Sequence, residues 1–409
     1  MTLDDAIARD AADPMRAMRD RFVLPEGVIY LDGNSLGALP RTTAGRMQRT
    51  VTEQWGDGLI RSWNRHDWIG AAKRVGGQIA PLIGAAADEV LVADSTSANL
   101  YKLLVAAVKA RPGRHTILSE PGNFPTDLYV ADGAAWSVGD ARVRTVPVED
   151  IAGAIDEDVA VVMLTHVHYK SGAMLDMAAI TAAAHAKGAL ILWDLSHSVG
   201  AVPVDLNGAG ADMAVGCGYK YLNGGPGAPA FLFVAGRHHA TLRSPLSGWM
   251  GHAAPFAFDD GYAPAPGVSR FQCGTPPILA LAALEEGIAP FADVAFDDLV
   301  AKSRALSDWY IDLMEARCAE HGFTLASPRD TARRGSHVSY RHPQSYAICQ
   351  ALIARGVIGD FRAPDALRMG FTPLYTGFAD IWRAVDILAD LMTTGAWDRP
   401  EHHARNSVT

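Results

Sequence analysis

Cysteine is scarce in this 409-residue sequence, which contains only Cys217, Cys273, Cys318 and Cys349. The four are scattered, and none stands in C-x-x-C spacing. This pattern argues against a disulfide framework and against a zinc site, so we expect no metal. Cysteines without such pairing are typical of proteins from a reducing compartment.

An excess of positive charge is also missing. The chain has 36 Lys and Arg against 45 Asp and Glu, which gives a formal net charge of -9. Its basic clusters, Arg237-His238-His239 and Arg333-Arg334, are too short to follow a phosphate backbone. We therefore expect neither a nucleic acid nor an anionic membrane as partner.

Long apolar runs are absent as well. No stretch approaches the roughly 18 residues needed to span a bilayer. The first 15 residues are acidic and lack the apolar core of a signal peptide. The sequence thus predicts a cytoplasmic protein that has no contact with a membrane.

Short apolar segments alternate with helical patterns between about residues 88 and 234. Six segments read as strands: HTILS (115–119), VRTVPV (143–148), VAVVMLTH (159–166), ALILWD (189–194), DMAVG (212–216) and AFLFV (230–234). Several are apolar throughout, as strands covered on both faces are. Asp176 precedes one helical pattern as a candidate N-cap, and Gly188 ends it. The alternation predicts an α/β fold with a mostly parallel sheet.

After Pro276-Pro277 the pattern changes to amphipathic helices with short strands, typical of a smaller α+β domain. We divide the chain into an N-terminal segment (1–45) that packs on the small domain, a large domain (46–290) and the small domain (291–409).

Three pairs of polar residues follow predicted strands, where parallel α/β sheets bind ligands. They are Thr165 and His166, Asp194 and His197, and Tyr219 and Lys220. A single aspartate at a strand end often only caps a turn or helix. Together with a glycine-flanked lysine, however, the carboxylate fits pyridoxal phosphate. That cofactor needs a lysine for its Schiff base and a carboxylate for its pyridine nitrogen.

A phosphate site is predicted from Ser95, Thr96 and Ser97, which precede an apolar helical pattern and can face an anion. Simple capping of that helix is the alternative reading. Phe124 and Asp127 stand in a turn, where an aromatic ring can stack on a cofactor. A buried core phenylalanine is the alternative for Phe124.

These residues lie within motifs that resemble the kynureninase family, which consists of fold-type-I pyridoxal-phosphate enzymes related to the class V aminotransferases. The motifs are YLDGNSLG (30–37), NFPTD (123–127), WDLSHSVGAVPVDL (193–206), GCGYKYLNGGPG (216–227), LSGWMGH (246–252) and GTPP (274–277). They occur in order along nearly the whole chain. The resemblance implies a seven-stranded sheet in the large domain.

The resemblance also implies roles for individual residues. Lys220 would bind the cofactor and later move the substrate's α-proton, Asp194 would pair with the pyridine nitrogen, and Tyr219 would be a proton donor. The other implied cofactor-binding residues are Thr96, Ser97, Phe124, Asp127, Thr165, His197, Trp249 and Thr275. Some phosphate contacts would come from the second subunit of a homodimer whose active site lies near the interface.

On the substrate side, the resemblance implies that Arg368 binds the α-carboxylate. Trp63, Gly274 and Thr275 would lie near the substrate's aromatic ring, although Trp55 or Trp68 can also occupy the place given to Trp63. This pattern implies a preference for L-kynurenine over its 3-hydroxy derivative.

The implied reaction is hydrolysis of L-kynurenine to anthranilate and L-alanine, a step of tryptophan degradation. Two alternatives share the fold: a cysteine desulfurase and an aminotransferase. A desulfurase needs a mobile nucleophilic cysteine, whereas Cys318 and Cys349 stand in helical patterns.

Overall fold

The computed structural model describes residues 1–405. Its strands, numbered along the chain, are β1 (Phe22–Val23), β2 (Ile29–Tyr30), β3 (Leu39–Pro40), β4 (Val90–Val92), β5 (Thr116–Ser119), β6 (Arg142–Thr145), β7 (Val159–Thr165), β8 (Leu190–Asp194), β9 (Met213–Gly216), β10 (Phe231–Val234), β11 (Thr324–Leu325), β12 (His337–Arg341), β13 (Val357–Ile358), β14 (Asp360–Arg362) and β15 (Ala366–Gly370).

The helices flank these strands along the whole chain. They are α1 (Leu3–Ala12), α2 (Thr43–Arg49), α3 (Ser62–Arg65), α4 (Ala71–Ile79), α5 (Thr96–Lys109), α6 (Pro125–Val138), α7 (Ile151–Ala154), α8 (Met177–Ala186), α9 (Ile278–Ile288), α10 (Phe296–Arg317), α11 (Ser345–Ala354), α12 (Phe378–Thr394) and α13 (Pro400–His403). Across residues 1–405, no helix combines the length and the apolar composition needed to cross a membrane.

The large sheet has seven strands in the order β4-β10-β9-β8-β7-β5-β6. All neighbours are parallel except β10, which runs antiparallel to β4 and to β9. Every residue of β7 and β8 is buried, because side chains on both faces are covered. The predicted α/β fold with a mostly parallel seven-stranded sheet is therefore confirmed.

The six predicted strands correspond to β5 to β10, with small shifts at their ends. Asp176 caps α8 as predicted, since its carboxylate accepts a hydrogen bond of 2.9 Å from the Ala179 amide. The sequence pattern missed β4, a three-residue strand at the edge of the sheet.

A second sheet has the order β11-β12-β15-β14 and is antiparallel. Its apolar face packs with α10, α11 and α12 in a separate hydrophobic cluster. The N-terminal segment contributes to both regions: Ala6 and Leu31 join this cluster, whereas Phe22 and Ala38 join the core of the large sheet. The division at residues 45/46 and 290/291 stays a prediction.

Candidate active site

Lys220 lies in the turn after β9, at the carboxyl edge of the large sheet. Its Nζ is 3.4 Å from His197 Nε2 and 5.8 Å from the centre of the Phe124 ring. Within residues 1–405, no carboxylate forms an ion pair with it. The turn is held from the N-terminal segment, because the Gly37 amide donates to the Tyr219 carbonyl at 2.8 Å. A Cβ at Gly37 would stand 2.3 Å from the Lys220 carbonyl oxygen, so only glycine fits there.

His197 is buried beside Lys220. Burial, and then the positive charges of Lys220 and Arg368, lower its pKa well below the usual value. His197 is therefore neutral at neutral pH and adds no second positive charge next to the lysine amine.

Asp194 ends β8 on the strand adjacent to β9, and its Oδ1 accepts a 2.7 Å hydrogen bond from the Ser196 amide. Asp127 comes from the first turn of α6 and is hydrogen-bonded to Asp194. Burial and the negative charge of Asp194 raise the pKa of Asp127 well above its usual value. Asp127 is therefore the carboxyl group of the two that favours keeping its proton.

This carboxylate pair tests whether the residues fit the predicted cofactor. Asp127 is 1% exposed and Asp194 3% exposed, yet neither forms an ion pair with a described side chain. Buried carboxylates without a cationic partner are costly. A protonated pyridine nitrogen would supply both the missing charge and an N–H donor, so the pair fits pyridoxal phosphate.

Phe124 stands at the N-cap position of α6 and is 37% exposed. The alternative reading, a buried core phenylalanine, is therefore wrong. Its amide donates to Asn123 Oδ1 at 2.7 Å, and its ring meets Tyr169 edge to face with centres 5.2 Å apart. Thr165, which ends β7, donates to the same Asn123 oxygen. Asn123 thus ties two predicted cofactor residues together, a role that sequence reasoning missed.

The predicted phosphate site lies at the N-terminus of α5. Ser95 is the N-cap, and its hydroxyl accepts from the Ala98 amide at 3.3 Å, so the capping alternative holds for Ser95. Thr96 and Ser97 follow in the first turn, and no residue of the described chain hydrogen-bonds their hydroxyls. Those hydroxyls and the amides of the first turn are available to an anion.

A buried lysine holds this turn in place. Lys102 is fully buried on α5, and its Nζ lies 2.7 Å from Asp94 Oδ2 and 2.7 Å from the Phe271 carbonyl oxygen. Asp94 precedes the phosphate-site residues, and Phe271 precedes Gly274 and Thr275. Lys102 therefore fixes both segments relative to each other.

Arg368 lies on β15 and is 1% exposed. Its Nε is 2.7 Å from Asp360 Oδ1, and its Nη2 binds Asp360 Oδ2 and, at 3.1 Å, Ser35 Oγ. Its Nη1 donates to the Tyr169 carbonyl. Sequence reasoning missed Asp360 and gave the YLDGNSLG motif no contact, whereas Ser35 of that motif touches the guanidinium.

Tyr219 lies next to Lys220, with its ring centre 5.9 Å from the lysine Nζ. The neighbouring Cys217, together with burial and Asp194, raises the pKa of Tyr219. Its phenol therefore keeps its proton at neutral pH.

Four predicted site residues are not brought to Lys220. Trp63 lies on α3 against Trp68, with ring centres 5.9 Å apart, and Trp249 is partly exposed against Phe256. Gly274 and Thr275 are exposed in the loop before α9. Among the described contacts, none joins these four to Lys220, Asp194 or Arg368.

A family model and full-length relatives both identify the same family. Residues 299–388 match the family model described as Kynureninase C-terminal domain. The chain is 51% identical over 414 residues to a kynureninase of Burkholderia mallei (strain ATCC 23344), which covers all of both chains. It is 51% identical over 415 residues to a kynureninase of Pseudomonas fluorescens, again over all of both chains.

Solved structures with the same fold are more distant in sequence. The apo cysteine desulfurase of Thermococcus onnurineus NA1 aligns with a TM-score of 0.77 at 18% identity, over 92% of this chain and 98% of that chain. A variant of C-DES with glycine covalently linked to its PLP cofactor aligns with a TM-score of 0.78 at 16% identity, over 91% of this chain and 99% of that chain. At such identities the similarity concerns the fold alone.

Proposed function

Because the chain belongs to the kynureninase family, we propose that it hydrolyses L-kynurenine to anthranilate and L-alanine with pyridoxal phosphate as cofactor. The observation that carries this proposal is the identity of 51% over the full length of curated kynureninases. The convergence of Lys220, Asp194 and Asp127 supports it, since these residue types suit the cofactor and meet at one edge of the sheet.

Each part of the cofactor has residues suited to it. Lys220 would form the covalent link, Asp194 and Asp127 would hold the pyridine nitrogen, and Phe124 would cover a face of the ring. Thr165, His197 and Tyr219 would line the pocket, and Thr96 and Ser97 would bind the phosphate. When bound, the cofactor accepts electron density from the substrate's Cα, which makes the α-proton acidic.

The chain's own residues then handle protons and position the substrate. Lys220 Nζ removes the α-proton and returns it, assisted by a neutral His197 that does not repel a protonated amine. Tyr219 keeps its phenolic proton and donates it during cleavage of the Cβ–Cγ bond. Arg368 binds the α-carboxylate, and Asp360 fixes the plane of its guanidinium.

Two copies of the chain would complete the site. Several large apolar side chains are exposed in the segments that hold the four predicted residues without a contact to Lys220. These exposed side chains include Trp55, Ile60, Trp249, Phe256 and Phe258. A cavity of about 480 Å³ is lined by Trp55, Trp68 and residues 277–280. Exposed apolar area of this kind is typical of a subunit interface. We propose a homodimer in which Trp63, Trp249, Gly274 and Thr275 serve the neighbouring subunit's site.

The same residues support a preference for L-kynurenine over 3-hydroxykynurenine. A tryptophan wall packs an unsubstituted ring but offers one N–H donor and no acceptor for an added hydroxyl. That hydroxyl would lose water without gaining a partner. We expect kcat/KM for L-kynurenine to be at least about tenfold higher, or about 1.4 kcal/mol. Equal rates in a competition assay would contradict this preference.

The decisive experiment adds L-kynurenine to the purified, cofactor-loaded protein and follows anthranilate fluorescence together with L-alanine. The proposal requires both products in equal amounts. An aminotransferase would release no alanine, and anthranilate would not appear.

A cysteine desulfurase shares the fold, so L-cysteine should be tested in parallel. The structure disfavours this activity, because Cys318 and Cys349 are both buried, at the end of α10 and within α11. Neither is placed as a mobile nucleophile. Sulfide release from L-cysteine without anthranilate formation would overturn the proposed function.

A further inference from the structure

The donor atoms of Arg368 are almost fully used within the protein. A guanidinium has five N–H groups. Asp360 takes two of them, Ser35 a third and the Tyr169 carbonyl a fourth. One N–H is left, whereas a carboxylate held in two-point fashion needs two parallel donors. Arg368 alone therefore does not provide a complete carboxylate site.

Arg362 provides the missing donors. It lies on β14, two residues after Asp360, so both side chains point to the same face as Arg368 on the adjoining strand. Its Nη2 is 2.8 Å from Asp360 Oδ2 and 3.3 Å from Ser35 Oγ. Its Nε and Nη1 have no hydrogen-bond partner in residues 1–405, and its side chain is 37% exposed.

The charges around the two arginines favour an added anion. Asp360 is shared by Arg362 and Arg368, and burial together with Asp360 raises the pKa of the neighbouring Asp32 to about 7. Burial and the charge of Arg368 lower the pKa of Arg362. Positive charge therefore exceeds negative charge when Asp32 is protonated.

This cluster belongs to the same pocket as the reactive lysine. Arg368 donates to the Tyr169 carbonyl, the Tyr169 ring meets the Phe124 ring at 5.2 Å, and the Phe124 ring centre is 5.8 Å from Lys220 Nζ. The arginines and Lys220 thus lie on the two sides of the Phe124–Tyr169 pair, which suits an amino acid with its Cα at Lys220 and its carboxylate towards the arginines.

We propose that Arg362 is a second substrate-binding residue, which holds the α-carboxylate together with the open N–H of Arg368. Ser35 connects the two guanidinium groups, and Asp360 fixes both. This inference rests on the proposed function in so far as the substrate is an α-amino acid. It assigns recognition of the carboxylate to two arginines from neighbouring strands.

The test measures binding by calorimetry on the cofactor-loaded enzyme, with L-alanine as the probe and L-alaninamide as the matched probe without a carboxylate. Arg362→Gln should weaken L-alanine binding about 10- to 100-fold, as expected for loss of a charged hydrogen bond. Binding of L-alaninamide and retention of the cofactor should stay unchanged. Arg362→Lys keeps the positive charge but loses the planar guanidinium, so its affinity for L-alanine should lie between those of the wild type and Arg362→Gln.

Arg341→Gln is the control, since Arg341 is an exposed arginine at the end of β12 in the same sheet. Unchanged L-alanine binding in Arg362→Gln would overturn the inference, as would an equal loss for both probes. If Arg362→Gln weakens the binding of L-alanine but not of L-alaninamide, and the wild-type enzyme forms no anthranilate from L-kynurenine, the proposed function fails while the role of Arg362 stands.

Discussion

Asp127 on α6 and Asp194 on β8 are buried, hydrogen-bonded carboxylates, and within residues 1–405 no cationic side chain forms an ion pair with either of them. Such a pair is stable only when it keeps a proton or receives a positive charge. The carboxylate pair that suits the cofactor therefore lowers the stability of the cofactor-free protein, and this loss can be measured.

Asp127→Asn should stabilise the cofactor-free protein at high pH. The pKa of Asp127 is raised in the folded state, so wild-type protein loses stability as pH rises above the usual aspartate range. Asparagine does not titrate and can still donate to Asp194. In urea denaturation, the free energy of unfolding of the variant should exceed that of the wild type by about 1–3 kcal/mol at pH 8 and by less at pH 5. The same variant should retain cofactor less well on dialysis.

Asp132→Asn, on the exposed side of the same helix, is the matched control and should change neither property. A gain in stability that is independent of pH would show that Asp127 does not hold the proton.

Lys220→Ala should abolish the covalent cofactor link and nearly all activity while the fold survives. Lys220 is the lysine in contact with His197 at the carboxyl edge of the sheet, whereas Lys102 is buried in an ion pair with Asp94 and Lys302 in one with Asp13. Borohydride reduction followed by peptide mass analysis locates the link. Labelling of another lysine in the variant would place the Schiff base elsewhere.

Lys102→Met should weaken cofactor binding without touching the cofactor. The substitution leaves Asp94 and the Phe271 carbonyl without their shared donor, which loosens the turn before Thr96. We expect the dissociation constant for pyridoxal phosphate to rise about tenfold or more. Lys109→Met, at the exposed end of the same helix, should have no effect. Equal cofactor affinity in both variants would mean that the turn is rigid without Lys102.

Asp212 should stabilise the fold far from the site, at the opposite edge of the sheet. Its carboxylate is 2.9 Å from His185 Nε2, 2.7 Å from His238 Nε2 and 2.6 Å from Arg237 Nη2. Burial alone would raise its pKa, but the hydrogen bonds from His238 and His185 lower it to about 2. A lowered pKa gives stability that is present above pH 4 and lost as pH falls towards 2.

Asp212→Asn should therefore cost about 2 kcal/mol at pH 7 in urea denaturation, and the difference from wild type should shrink between pH 4 and pH 2. Asp390→Asn removes an exposed pair with Arg355 and should cost under about 1 kcal/mol. A pH-independent loss at Asp212 would point to packing instead of charge.

Residues at the ends of parallel strands were predictable from the sequence. Asp194 ends β8 and Lys220 follows β9, and the apolar composition of both strands shows where each one stops. Because adjacent parallel strands end at the same edge, proximity of the two residues follows from the pattern.

The arginine cluster was not predictable in the same way. Asp360 faces Arg368 through the antiparallel register of β14 and β15, and Ser35 reaches both from more than 300 residues away along the chain. Register and long-range contacts depend on tertiary packing, which leaves no local periodicity. The contacts of Asn123 depend likewise on how α6 begins.

Because the chain is synthesised from its N-terminus, β2 must wait for its partner β13 before the two strands can pair. Ile29 and Tyr30 pair with Val357 and Ile358, and Ser35, a few residues after β2, completes the contacts of Arg368. At typical rates of synthesis, the partner of β2 leaves the ribosome roughly 15–60 s after β2 itself. A nascent chain thus carries Lys220 long before it can recognise an amino acid. The amine of Lys220 leaves the ribosome first, and the strands that would bind the substrate's carboxylate follow only near the end of translation.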